Sequence, residues 1–120
     1  MDKETNIHEL KEKVKKFCDD RDWDQFHDAK ELAIALNIES SELLEHFRWK
    51  KPEEVKAVLA DPKKKEEVED EMADVLYFLI RIAQMNHIDL SETLDRKLEK
   101  NNKKYPVEKF KGSSKKYNEI

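Results

Sequence analysis

The stretch VEDEMADVLYFLIRIAQMN, residues 68–86, decides the fold of this chain. Its apolar residues fall on nearly every side of a helix, a pattern typical of a helix packed among others. A charged start extends the predicted helix back to Pro62, because Asp61-Pro62 ends one helix and opens another. The sequence therefore predicts a central helix over about Pro62–Asn86.

A second apolar segment upstream predicts another central helix. It begins at Asp28, which forms a capping box with Glu31, and runs to about Arg48. Its apolar residues also cover much of the helical circumference, which indicates a buried position. These residues are Leu32, Ile34, Leu36, Ile38, Leu43, Leu44 and Phe47.

Three shorter segments predict the remaining helices. One begins at Ile7, one begins at Pro52, and one covers about Leu90–Lys104. With one glycine and three prolines in 120 residues, the chain lacks the turns that sheets and barrels need. The prediction is an all-α fold, a four- to five-helix bundle.

The predicted bundle is a single domain over residues 1–106. A chain of 120 residues does not comfortably hold a second independent core. Residues 107–120 contain the only glycine and follow Tyr105-Pro106, which ends the last predicted helix. We expect an extended or partly disordered C-terminal tail there.

Composition restricts the partners and the compartment. The formal charge of -4 provides no basic field for nucleic acid, and no apolar run approaches the roughly 18 residues of a membrane span. Cys18 is the only cysteine, and the first residues lack the apolar run of a signal peptide. We expect a soluble, cytoplasmic protein that binds neither nucleic acid nor membrane.

Two pairs of carboxylates occupy positions that the helical pattern assigns to the core. Glu39 lies within the apolar stripe of its helix, and Glu42 lies one turn on at the edge. Glu71 and Asp74 repeat this arrangement on the other central helix. Four close anions are costly to desolvate unless a cation neutralises them. The pattern favours a divalent ion with oxygen ligands, Mg²⁺ with Mn²⁺ as an alternative.

Solvated surface charge and other known site motifs are the alternatives to a divalent metal site. A single E-x-x-E pair in a glutamate-rich chain is more often a solvated face than a metal site. The chain has no Glu-x-x-His motif for a di-iron site. HExxH, GxxxxGK[ST], GxGxxG and GxSxG are also absent, which excludes the common zinc protease, P-loop, dinucleotide and hydrolase-elbow motifs.

Six motifs follow one another along the chain. They are RDWDQFH at 21–27, Glu39-x-x-Glu42, FRWK at 47–50, Glu71-x-x-Asp74-Val75-Leu76, Lys97-x-x-x-Asn101 and Lys104-Tyr105-Pro106. In this order they resemble the MazG-like all-α nucleoside triphosphate pyrophosphohydrolases, and among these the dCTP pyrophosphatase type.

The resemblance implies hydrolysis of a nucleoside triphosphate to the monophosphate and pyrophosphate. Pyrimidine nucleotides similar to dCTP are the expected substrates, in nucleotide pool housekeeping. The implied catalytic residues are also the implied ligands of Mg²⁺: Glu39, Glu42, Glu71 and Asp74.

The resemblance also implies a set of substrate-binding residues. Aromatic and imidazole groups would surround the nucleoside, and Lys97, Asn101 and the Tyr105 hydroxyl would face the phosphates. Phe78 stands where related proteins often have tyrosine. The alternative for the tryptophans is that they only cap the core. The full set is Trp23, His27, Trp49, Phe78, Lys97, Asn101 and Tyr105.

The predicted assembly is a homodimer or a homotetramer. Two helices that are apolar nearly all round cannot be covered by three short partners, so a second copy would complete the bundle. A non-catalytic helical module for oligomerisation or nucleotide binding remains an alternative, as does a related enzyme acting on phosphoribosyl-ATP or dUTP.

Overall fold

The computed structural model describes residues 1–119 and contains no strand in that range. The all-α prediction is confirmed. All five predicted helices are present, and α2 ends three residues before its predicted end at Arg48. The helices are α1 Ile7–Asp19, α2 Ala29–Glu45, α3 Pro52–Ala60, α4 Pro62–Met85, α5 Leu90–Lys104 and the short α6 Val107–Phe110.

Aspartate side chains define three of the helix starts. The Asp28 carboxylate accepts the backbone N–H of Glu31 at 2.8 Å, and Asp89 accepts that of Glu92 at 2.8 Å. Asp61 accepts two backbone N–H groups at the start of α4, directly before Pro62. Each bond satisfies an amide that the first helical turn leaves without a partner.

The first compact unit comprises Met1–His87 and contains α1 to α4. Helix α4 contacts α1, α2 and α3, with its most extensive contact against α2. Every helix of the unit contributes to the core, and Cys18 of α1 is fully buried there. The buried apolar residues are Cys18, Leu32, Val58, Val68, Ile80 and Ala83.

The two central helices keep much of their apolar surface exposed. Helix α2 has a single buried residue, Leu32, because its main packing partner among the described residues is α4. Within the described residues the apolar circumference of α2 is thus only partly covered, as expected for a central helix with short partner helices. The exposed apolar side chains of α2 and α4 include Ile34, Ile38, Met72, Leu76 and Leu79.

The second compact unit begins at Ile88 and contains α5 and α6. Tyr105 follows α5, and its ring contacts Phe110 and Tyr117 with centroid separations of 4.9 and 6.1 Å. Residues 107–119 are the described part of the predicted tail. They contain α6 and a 3-10 turn at Tyr117–Glu119. The domain boundary after residue 106 remains a prediction.

None of the helices in the described residues is long and apolar enough to cross a membrane.

Candidate active site

A cluster of carboxylates lies where α2 packs against α4. Glu39 and Glu42 come from α2, and Glu71 comes from α4. One carboxylate oxygen from each of the three lies within 4.8 Å of the others. The i, i+3 spacing on α2 explains the pairing within that helix, since residues three apart lie on one face.

Two oxygens of this carboxylate cluster are buried without a partner. Oε2 of Glu39 and Oε2 of Glu71 have no hydrogen-bond donor among the described residues. Loss of solvation, followed by the neighbouring Glu42 carboxylate, raises the pKa of Glu39 from its ordinary 4.5 to about 7. Loss of solvation is also the main cause of the raised pKa of Glu71.

The donor set of the carboxylate cluster fits a divalent cation. Buried polar atoms in native proteins almost always have a partner, so partnerless carboxylate oxygens call for a positive group. Carboxylate oxygens are the ligands that Mg²⁺ and similar hard cations prefer. The cluster is thus suited to a metal ion, as the sequence spacing indicated.

Asp74 stands beside this cluster rather than within it. It is exposed on α4, one turn after Glu71. Its negative charge nevertheless raises the pKa of both Glu39 and Glu71. The structure therefore brings three of the four predicted ligands together and places the fourth at the edge.

An aromatic cavity of about 260 Å³ opens in the same compact unit. Two of its lining residues belong to α4, and the other three belong to the loop between α1 and α2. Trp23 and His27 pack edge to face with ring centroids 5.9 Å apart, and Tyr77 and Phe78 do so at 4.9 Å. The lining residues are Trp23, Phe26, His27, Tyr77 and Phe78.

Three of the predicted nucleoside contacts line the aromatic cavity: Trp23, His27 and Phe78. Phe26 and Tyr77 also line it but were not among the predicted site residues. Phe26 lies inside the RDWDQFH motif, so that motif could have indicated it.

The structure does not place Trp49 in the aromatic cavity. Trp49 follows the end of α2 with a φ of 63°, and 87% of its surface is exposed. The Arg48 guanidinium lies 5.0 Å from its ring centroid.

The three predicted phosphate contacts belong to the second compact unit. Lys97 is exposed and Asn101 half-buried on α5, where their spacing places them on one face. Tyr105 forms the C-terminal cap, and its backbone N–H donates to the Asn101 carbonyl at 2.8 Å.

A buried arginine beside the aromatic cavity was missed from the sequence. Arg81 is 1% exposed and lies near the C-terminal end of α4. Its guanidinium donates to Nδ1 of His27, to Oδ1 of Asp24 and to Oε1 of Gln84. The hydrogen bond from Arg81 is the largest cause of the lowered pKa of Asp24. The available signal was a single charge inside the apolar run of residues 75–83.

Known proteins resemble this chain over most of its length. A model of the MazG-like family matches residues 34–120, and dCTP pyrophosphatase 1 of Mus musculus is 33% identical over 117 residues. The chain belongs to the MazG-like family. The similarity to the mouse protein covers 98% of this chain and 69% of the mouse protein. dCTP pyrophosphatase 1 of Homo sapiens is 32% identical with the same coverage.

A solved structure also resembles this MazG-like chain. A pyrophosphatase from Archaeoglobus fulgidus has a TM-score of 0.78 and 40% sequence identity. The similarity covers 83% of this chain and 92% of the archaeal one. The helical fold and the family assignment therefore agree.

Proposed function

We propose that this chain hydrolyses pyrimidine deoxynucleoside triphosphates similar to dCTP, releasing the monophosphate and pyrophosphate, with Mg²⁺ as its cofactor and Mn²⁺ as an alternative. The broader class, a nucleoside triphosphate pyrophosphohydrolase, follows from the family and from the relatives named as dCTP pyrophosphatases. The observation that carries the proposal is the pair of buried, partnerless carboxylate oxygens in the same unit as the aromatic cavity.

The metal ligands in this proposal are the two oxygens without donors, on Glu39 and Glu71, together with Glu42 and Asp74. When bound, a divalent cation supplies charge neutralisation for phosphates and an activated water for attack on phosphorus. The helices contribute rigid placement, since both carboxylate pairs stand on packed elements rather than on loops.

The aromatic cavity is the proposed nucleoside site. Indole and phenyl rings offer flat apolar surfaces on which a base can stack. Phe78 lies seven residues after Glu71 on α4, which separates them by about 10 Å along the helix axis. An elongated molecule with its base between the rings and its phosphates toward the carboxylates fits this separation.

The remaining contacts are assigned to the substrate on the family motifs. Lys97 and Asn101 would bind phosphate oxygens as a charge and a hydrogen-bond donor, and Tyr105 would add a hydroxyl. Trp49 would contact the nucleoside. We further propose a homodimer or homotetramer, supported by the exposed apolar faces of α2 and α4, and a cytoplasmic location.

The test is a product analysis with a matched pair of variants. The purified protein is incubated with Mg²⁺ and a panel of ribo- and deoxynucleoside triphosphates that includes dCTP and dUTP. Glu42→Gln should lower turnover at least about 100-fold, because an exposed ligand is lost without disturbing the core. Glu45→Gln is the control, since Glu45 is also exposed on α2 but pairs with Arg48 at 3.3 Å.

The products separate the candidates. Monophosphate plus pyrophosphate from dCTP supports the proposal, whereas diphosphate plus phosphate contradicts it. Full activity of Glu42→Gln would refute the ligand assignment. If no nucleotide is turned over but Mg²⁺ with dCTP raises the melting temperature, the non-catalytic binding module replaces the enzyme.

A further inference from the structure

The Arg81 side chain ties the loop between α1 and α2 to helix α4. Nε donates to His27 Nδ1 at 3.0 Å, and Nη2 donates to Asp24 Oδ1 at 2.5 Å. Both acceptors lie on the loop, and the third partner, Gln84, lies one turn away on α4. Because the guanidinium is planar and almost fully buried, its two bonds to the loop fix the loop against α4, and the bond to Gln84 orients the guanidinium.

The bond to Nδ1 determines which nitrogen of His27 carries the proton. An arginine side chain has only donors and keeps its charge, so Nδ1 can only accept. A neutral imidazole holds a single ring proton, which must then be on Nε2. Nε2 of His27 therefore acts as a hydrogen-bond donor.

The surroundings of His27 keep the ring neutral. Burial and then the Arg81 charge lower its pKa below the ordinary 6.5, while Asp24 acts in the opposite direction. The Trp23 ring packs against it and carries no charge. The neighbouring polar group of the cavity wall, the Tyr77 hydroxyl, is already engaged with Cys18 Sγ at 3.2 Å.

We propose that Arg81 is a positioning residue that holds His27 as the neutral Nε2–H tautomer, so that the aromatic cavity presents a hydrogen-bond donor to an acceptor atom of the bound nucleoside. This inference rests on the proposed function, because it takes the cavity as the nucleoside site. The acceptor is either a ring carbonyl of the base or a hydroxyl oxygen of the sugar.

The tautomer can be measured without any nucleotide. Side-chain ¹⁵N NMR spectra are recorded on the full chain labelled at its four histidines, with the His27 signals identified by their loss in His27→Gln. We expect an unprotonated Nδ1 and a protonated Nε2 in the wild type at pH 7.5. Arg81→Lys keeps the charge but lacks the planar fork, so it should give a mixture of tautomers.

A matched variant separates positioning from general destabilisation. Gln84→Leu removes the Arg81 partner on α4 and leaves both loop contacts in place. It should leave the His27 tautomer unchanged. A wild type with a proton on Nδ1, an unchanged tautomer in Arg81→Lys, or the same tautomer shift in Gln84→Leu would each overturn the proposal.

Kinetics test the consequence for binding. Arg81→Lys should raise KM for dCTP about tenfold, the effect of one weakened hydrogen bond, and change kcat by less than about threefold. A tenfold loss in kcat with an unchanged KM would contradict a role of Arg81 in nucleoside binding. Gln84→Leu should keep KM within about twofold of the wild type.

Two substrate analogues identify the acceptor. One is 2-thio-dCTP, in which sulfur replaces the base carbonyl oxygen, and the other is 2′,3′-dideoxycytidine triphosphate. The KM penalty of Arg81→Lys should shrink with the analogue in which the acceptor oxygen is replaced or removed, and a full penalty with both refutes the assignment of the acceptor to these two oxygens. If the wild type turns over no nucleotide, the proposed function fails, and the His27 tautomer still decides whether Arg81 positions the ring.

Discussion

Glu39→Gln should make the metal-free protein more stable at alkaline pH while it removes activity. The substitution keeps the shape of the side chain and removes a negative charge whose Oε2 atom is buried without a partner. Because the pKa of Glu39 is raised in the folded state, folding binds a proton between pH 4.5 and about pH 7. The stabilising contribution of Glu39 is therefore complete below pH 4.5 and is lost as the pH rises through 7.

The magnitude follows from the pKa of Glu39. A rise from 4.5 to about 7 corresponds to at most about 3.4 kcal/mol, at 1.36 kcal/mol for each pH unit. Glu39 is only half-buried, so solvent screening reduces this to about 1 to 2 kcal/mol. For a chain of this size that gain raises Tm by about 3 to 10 °C at pH 8.

The assay is thermal unfolding in EDTA at pH 8 and at pH 4.5, repeated at pH 8 with excess Mg²⁺. At pH 8 in EDTA the variant should melt above the wild type, and at pH 4.5 the difference should vanish. Mg²⁺ should raise the melting temperature of the wild type more than that of the variant, because a ligand is missing. Equal melting temperatures at pH 8 in EDTA, or equal stabilisation by Mg²⁺, would refute the reasoning.

Three further predictions concern the core, a helix cap and the exposed apolar face. Leu32→Ala should lower the free energy of unfolding by about 2 to 4 kcal/mol in urea denaturation, since Leu32 is fully buried, and a loss below 1 kcal/mol would contradict its place in the core. Asp28→Ala should cost about 1 kcal/mol by removing the cap of α2, and an unchanged urea midpoint would count against that cap. Ile38→Asp, on the exposed face of α2, should dissociate the proposed homo-oligomer, as measured by light scattering, whereas an unaltered oligomer mass would place the interface elsewhere.

Local signals made the helices and the carboxylate pairs predictable. The caps at Asp28 and Asp89 and the proline after Asp61 act within one turn, so their effect depends only on neighbouring residues. The spacing of Glu39 and Glu42 likewise follows from helical geometry. The spacing of Glu71 and Asp74 does not show which of the two joins the carboxylate cluster, because this depends on how α4 is rotated against α2.

The role of Arg81 depends on contacts that periodicity does not describe. Its loop partners Asp24 and His27 lie 57 and 54 residues away in the chain. A helical pattern assigns residue 81 to the apolar face but says nothing of which loop reaches it. The charge at that position was a visible exception to the pattern, and such exceptions mark either a site or a structural ion pair.

The two ionic features of α4 differ in how their charge is compensated, and this difference separates scaffold from site. Arg81 is buried with three hydrogen-bond acceptors, one of them the Asp24 carboxylate, so its charge is satisfied within the chain. Glu71 has a buried oxygen with no donor and two other carboxylates beside it, so its charge is not satisfied. A satisfied charge such as that of Arg81 is not stabilised further by a ligand. An unsatisfied carboxylate such as that of Glu71 is stabilised by any cation that fits beside it. The same helix thus holds a rigid anchor for the cavity wall and, about 15 Å along its axis, a carboxylate cluster whose repulsion favours metal binding.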